Sequence, residues 1–355
     1  MNNFTLRTLA LLSLFTLIFG LYKLRYPTII HPVRAVYHWK THFSWGYEND
    51  QFQQKFITDH QISKVYVKML DVDWNEAIGI FPSSKTNVTY YNPNQQDSAE
   101  YIPVVYISAK ALAMLEPKDI AAYANRFLKH ALRIETYLEH PVSEIQVDCD
   151  WTKSTKEIYF QLIREMRKLA PKYKFSATIR LYPYKYVSEL GVPPVDRGML
   201  MLYNLKNARV LSADNSIFSF QEARKYVSTK TTYPIPLDFA LPAFSWCTVF
   251  RNGSFYKVLF QNPMGEENVL KNVRLVRAGL YEVINAFELN LSTYLRPGDI
   301  LKIEHCGENE LLEANAICRL FPISEQNTIA LFDLDETDLN PFNYETIENA
   351  YQITK

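Results

Sequence analysis

From residue 34 onward, eight short runs rich in β-branched and aromatic residues alternate with amphipathic stretches, and this alternation constrains the chain more than any other feature. The runs are Ala35–Thr41, Lys64–Leu70, Tyr101–Ser108, Glu144–Asp148, Lys174–Leu181, Gly198–Asn204, Ile235–Ala240 and Thr328–Asp333. Strands separated by helical segments pair in parallel through crossover connections, and eight of them are enough to close a sheet on itself. The expected fold is α/β, a (β/α)8 TIM barrel. The clearest helices are Pro117–Glu139 and Ser154–Leu169, the second with capping-box spacing between Ser154 and Glu157. Ile158, Leu162, Ile163, Met166 and Leu169 recur at three- and four-residue steps, a stripe suited to burial against a sheet.

Two segments stand outside this pattern. Arg7 precedes an uncharged apolar run from Thr8 to Tyr22, and Lys23 and Arg25 follow it, which is the layout of a signal or anchoring segment. No small-x-small cleavage site comes after it, so an uncleaved anchor is favoured over a cleaved signal. The expected division is residues 1–30 as signal peptide or membrane anchor and 31–355 as the barrel, with the protein exported or membrane-anchored in a bacterial cell envelope. After the seventh strand, Trp246–Phe250 and Ser254–Phe260 flank Arg251-Asn252-Gly253, a strong hairpin turn signal, so an inserted β-hairpin should overhang the C-terminal end of the barrel. A polar loop is expected over Asn87–Asp97.

Composition narrows the functional classes. The 38 basic and 38 acidic residues cancel, which removes the field a nucleic-acid binder needs. Only 10 glycines are present, against a phosphate cradle, and the four cysteines form no C-x-x-C pair. No cofactor and no resident metal are expected.

Asp-x-Asp recurs directly after three strands: Asp71-Val-Asp73-Trp74, Asp148-Cys-Asp150-Trp151 and Asp333-Leu-Asp335-Glu336. Residues i and i+2 of a strand share a face, so each pair aims two carboxylates the same way, toward the mouth where barrel enzymes hold their sites. By alternation Gln146, Asp148 and Asp150 face inward while Cys149 faces the helices. Ser176, Thr178 and Arg180 face inward from the fifth strand, and Asp238 from the seventh. Crowded carboxylates suit acid/base glycoside hydrolysis, with Asp150 as acid, Asp148 as its electrostatic partner and Asp238 as a further catalytic candidate. Asp71, Asp73 and Arg180 would position substrate, and Trp74, Trp151, Trp246, Tyr182 and Tyr203 would offer faces to a sugar. The same acids suit a hard cation, as in a metal-dependent hydrolase, or plain capping of the turns after strands. His38 and His42 read as structural histidines, and Lys68 as an ion-pair partner of Asp71 or Asp73.

The segment from Asp148-Cys-Asp150-Trp151-Thr152 to Met199-Leu-Met-Leu-Tyr203-Asn204, with Gly191-Val-Pro-Pro-Val-Asp196-Arg197-Gly198 between them, resembles an uncharacterised bacterial barrel family related to glycoside hydrolases. The resemblance covers most of the chain after residue 34. It is more distantly similar to the chitinase-like family, whose fourth strand carries alternating acids ending in a catalytic Glu and whose sixth carries Met-x-Tyr-Asp. In one register the Glu position falls on Thr152; shifted by two it falls on Asp150, and Asn204 stands where the family has Asp after Tyr203. The resemblance implies a carbohydrate ligand. Glycan hydrolysis and saccharide binding without turnover both follow from it, and a mouth whose acids are filled by Arg180 and Lys68 would favour binding.

Overall fold

The computed structural model describes residues 28–45, 51–90, 98–138, 141–227, 232–260, 262–290 and 292–354. The apolar run of residues 8–22 lies outside them. Among the described residues no helix is long and apolar enough to cross a membrane.

Eight strands form the barrel: β1 (Val33–His38), β2 (Lys64–Asn75), β3 (Glu100–Ile107), β4 (Glu144–Cys149), β5 (Lys174–Arg180), β6 (Arg197–Met201), β7 (Leu237–Pro242) and β8 (Thr328–Phe332). Every neighbouring pair is parallel, and β1 pairs with both β2 and β8, which closes the sheet. All eight expected runs become barrel strands, with ends shifted by a few residues.

Helices cover the barrel where their stripes predict. Lys156–Leu169 buries Tyr159, Phe160, Leu162, Ile163 and Met166. The capping box does not form, because Thr155 is the N-cap and makes no side-chain cap bond to the helix. Its hydroxyl instead accepts from the Thr152 amide at 2.9 Å. The expected Pro117–Glu139 helix is divided at Leu132 into Ile120–Ala131 and Arg133–Leu138.

The Arg251-Asn252-Gly253 hairpin is present, with Asn252 at φ 51° and Gly253 at φ 74° as an Asn-Gly turn requires. It belongs to something larger than a lone ribbon. Ser245–Arg251 also pairs with Ile300–His305, and Ser254–Leu259, Leu280–Val283 and Val273–Arg277 complete a five-stranded antiparallel sheet. Cys247, Val249, Val283 and Leu301 of this sheet pack with Val269, Phe287 and Leu295 in a core separate from that of the barrel. The Asn87–Asp97 loop is corrected in part: Asn87–Tyr90 is a strand paired with His42–Trp45, and residues 91–97 lie outside the described residues.

Candidate functional site

The barrel interior is polar in layers, and each layer handles its charges differently. At the N-terminal end Arg197 donates to both Asp238 oxygens at 2.7 and 2.6 Å, and the Thr328 amide adds a third bond at 2.5 Å. Glu144 there accepts from Ser176 at 2.5 Å and pairs with Lys64 at 3.3 Å. Asp238 is thus a saturated member of the floor and is not brought to the mouth. One layer up, Tyr37 stacks on Tyr66 and donates to Gln146 at 2.7 Å.

The next layer is the pit. Asp71, Tyr106 and Asp148 are register partners across β2, β3 and β4, so their side chains lie side by side. Two strand spacings put the backbones of Asp71 and Asp148 roughly 10 Å apart. A bulge in β2 between Lys68 and Leu70 resets the alternation, and Lys68 therefore reaches Asp71 at 2.9 Å, a contact that strict alternation would forbid. Asp148 accepts from Thr178 at 2.5 Å and has no cationic partner among the described residues. Burial pushes its carboxyl up to about 7, helped by Asp150 and Asp71 and opposed by the Thr178 hydrogen bond and Arg180. Tyr203 is buried against Phe244 and Phe332, and its phenol feels Asp148, Arg180, Asp333 and Asp150.

Asp150 stands above Asp148 at the strand end, where it pairs with Arg180 at 3.1 Å, both side chains half-exposed. Thr152 lies in the turn beyond, its hydroxyl engaged by Ser154 and Thr155. Asp150, and not Thr152, therefore stands at the strand end above Asp148. Asp73 turns aside: it accepts from Ser108 at 2.6 Å, which holds it below the usual carboxylate range, and Ser108 in turn caps the Ala109–Ala113 helix.

The third Asp-x-Asp pair divides its roles. Asp335 caps the Glu336–Leu339 helix and pairs with Lys40. Asp333 is pushed up to about 7 by burial, then by Asp335 and Asp338, while Asp338, bonded to Ser245, is pushed to about 6 by burial and Asp335.

The aromatic residues separate just as clearly. Trp151 is buried in the helix layer, stacked on Tyr159 with its indole N–H on the Leu190 carbonyl. Trp246, on the first strand of the insert, is buried with the barrel's core edge-on to Phe244 and donates to Glu304 at 2.9 Å. Both rings are buried. Trp74 stands on the part of β2 that continues beyond the barrel as a hairpin with Gly79–Lys85, and Lys110 sits over its ring at 4.7 Å. Tyr182 is 54% exposed and packs on Tyr186. Asn204 takes a positive φ of 56°, and its buried Oδ1 lacks a partner among the described residues.

The residues missed from the sequence are Trp39, Tyr106, Phe332 and Asp338. Trp39 packs against Tyr106 and Phe332 and lies under the Lys68 ammonium at 5.3 Å. Alternation along β3 was the available signal for Tyr106. Among the described residues no three Asp, Glu, His or Cys side chains converge as a metal site would require.

Fold and mouth together define a closed barrel whose C-terminal end is an aromatic pit holding both paired and unpaired acids. Among solved structures, the chain is similar to the spore cortex-lytic enzyme SleL of Bacillus cereus (12% identity, 90% of this chain and 75% of that one, TM-score 0.47). It is also similar to a chitinase from Chromobacterium violaceum (10%, 90% and 98%, TM-score 0.46) and a class V chitinase from Nicotiana tobaccum (10%, 88% and 97%, TM-score 0.44). No protein-family model matches the chain, and no curated protein matches it.

Proposed function

We propose that the chain is a glycoside-hydrolase-like barrel whose mouth binds a saccharide without cleaving it. One observation carries this reading: the acids that reach the open mouth are already matched by barrel cations, Asp150 by Arg180 at 3.1 Å and Asp71 by Lys68 at 2.9 Å. A general acid must present a transferable proton at the scissile oxygen, and a carboxylate clasped by a guanidinium presents none. Trp39, Tyr106 and Tyr182 add ring faces of the kind that pack on pyranose C–H groups. The resemblance along β4 and β6 also supports a carbohydrate ligand.

Asp148 favours a second reading. At about 7 it holds a proton near neutrality, and in a hydrolytic site it would be the acid, with Asp150 as the charged partner. Calorimetric titration of the full chain with neutral β-linked oligosaccharides, followed by analysis of the products, separates the two. Saturable binding with no new reducing ends is expected. Cleavage that disappears in Asp148→Asn would select hydrolysis, and absence of any binding would reject both.

The apolar run of residues 8–22 is further proposed to hold the barrel at an envelope membrane. Fractionation of cells expressing the chain with and without residues 1–30 tests this; a soluble full-length protein would refute it.

A further inference from the structure

A cavity of about 510 Å³ opens between the insert and the loop that follows β6, and none of the pit residues lines it. It sits over the end of the Ile300–His305 strand, between two walls pinned to that strand. On one side the Arg277-Ala278-Gly279 turn is held by the Ile303 amide, which donates to the Gly279 carbonyl at 2.7 Å. Gly279 takes a positive φ of 72°, and a Cβ there would lie 2.9 Å from the Ile303 carbonyl, so the turn fits closely against the strand. On the other side residues 213–215 are held by Asn215, whose Nδ2 donates to the His305 carbonyl at 2.8 Å. Walls fixed in this way leave the space formed in advance, and its volume falls within the roughly 300 to 1,000 Å³ of small-molecule sites.

The floor of this cavity is charged but internally balanced. Lys302 and Glu304, 6% and 5% exposed, pair at 2.9 Å. Glu304 is saturated, since it also accepts from the Ser216 amide and hydroxyl, each at 2.7 Å, and from the Trp246 indole at 2.9 Å. Lys302 is not. Its ammonium has three N–H bonds, and besides Glu304 it reaches only the Val210 carbonyl among the described residues, at 3.4 Å. A buried donor is left for an acceptor that enters. The walls carry one unmatched charge each: Arg277 on the turn and Asp214 on the loop are exposed, and neither has a hydrogen bond or ion pair among the described residues. Arg251 and Arg274 of the same sheet, by contrast, hold Asp299 and Glu282. Glu310 also lines the cavity, but its carboxylate accepts from the Gly307 amide at 3.0 Å.

We infer that this cavity binds a zwitterionic amino compound, an amino acid or short peptide with both ends free, its carboxylate on Arg277 and Lys302 and its ammonium on Asp214. A simple anion would satisfy Arg277 but meet Asp214 across the cavity. A neutral sugar would leave both charges unmatched and find Tyr281 as the sole phenol or indole ring among the lining residues. Met264, Leu280 and Tyr281 offer apolar surface to the ligand's side chains. The site is independent of the saccharide reading of the mouth.

The test is calorimetry on the full chain with alanine, dialanine, N-acetyl-dialanine and dialanine amide. Saturable binding of alanine or of dialanine is expected, and which of the two binds tells an amino-acid site from a peptide site. Blocking either end of the bound form should weaken it about tenfold or more, the worth of one charge-assisted contact. Arg277→Gln should erase the difference between the free and amidated carboxyl and keep that between the free and acetylated amine, and Asp214→Asn should do the reverse. Both side chains are exposed, so an unchanged melting temperature shows that each variant is folded. Absence of binding by alanine and dialanine, blocked forms that bind as tightly as the free one, or blocking penalties that survive both substitutions would each overturn the inference.

Discussion

Replacing Asp148 by Asn should stabilise the protein above neutral pH, because the wild-type carboxylate is ionised at a cost. In the unfolded chain this group titrates at the ordinary 3.8, whereas in the folded barrel it holds its proton to about 7. Between those values the unfolded state has released a proton that the folded state retains, so stability falls as pH rises from about 4 to about 7 and is flat beyond. A shift of about 3 units at 1.36 kcal/mol each sets the loss at about 4 kcal/mol. Asn keeps the shape and the acceptor that Thr178 bonds at 2.5 Å, and removes only the ionisation. Urea unfolding at pH 4 and pH 8 measures the difference. The variant should match the wild type at pH 4 and exceed it by about 2 to 4 kcal/mol at pH 8, the lower bound allowing for relief of Asp150 and Asp71 in the wild type. A variant that is weaker at pH 8, or whose difference is the same at both pH values, would refute the reasoning.

His38 titrates in the opposite sense. It is fully buried, neither ring nitrogen has a partner among the described residues, and burial, with Lys40 and Lys68 adding to it, lowers its pKa from 6.5 to about 3. The stability this contributes is complete above pH 6.5 and is lost as pH falls toward 3, by up to about 5 kcal/mol. His38→Leu should remove that slope from the pH profile of the melting temperature, and parallel acid profiles would contradict the assignment. At the floor of the barrel, Arg197→Ala strands the buried Asp238 and should cost about 3 to 5 kcal/mol in denaturant unfolding. Asp238→Asn should leave saccharide affinity unchanged; a selective loss of affinity would return Asp238 to the site. Gly198→Ala places a Cβ 2.3 Å from Ile179 Cδ1 and 3.1 Å from Leu237, and should cost about 1 to 3 kcal/mol through overpacking. An unchanged unfolding midpoint would show that Ile179 can move aside.

Strand existence was legible because each barrel strand is a local run, and side-chain facing was legible wherever the alternation is unbroken. Gln146 and Asp148 on β4, and Ser176 and Thr178 on β5, meet as their parity requires. Height within the barrel was not legible. Asp238 has inward parity, yet it is the second residue of β7 and lands in the floor, because alternation reports a face and not a layer. The bulge in β2 was equally hidden, since one extra residue leaves no mark in composition, and it is the bulge that joins Lys68 to Asp71. Trp151 shows a signal left unused: it has the same parity as Cys149 and lies with it on the helix side. The five-stranded insert depends on pairing between Ser245–Arg251 and Ile300–His305, some 50 residues apart in the chain, which no local pattern reports.

The two ends of the barrel contain the same kind of residue under opposite conditions, and the contrast bears on function more directly than the fold does. In the floor, Asp238 and Glu144 are buried beside Arg197 and Lys64, so each charge removed from water meets another, and the layer acts as polar packing. In the pit, Asp148 is buried nearly as deeply and Asp333 more shallowly, neither with a cationic partner among the described residues, and burial disfavours their ionised forms. Filling a barrel does not require this, because Asn or Thr at either position would occupy the space without the penalty. Stability and binding at Asp148 should therefore change in opposite directions, and a substitution that raised both would separate the pit's acids from any ligand.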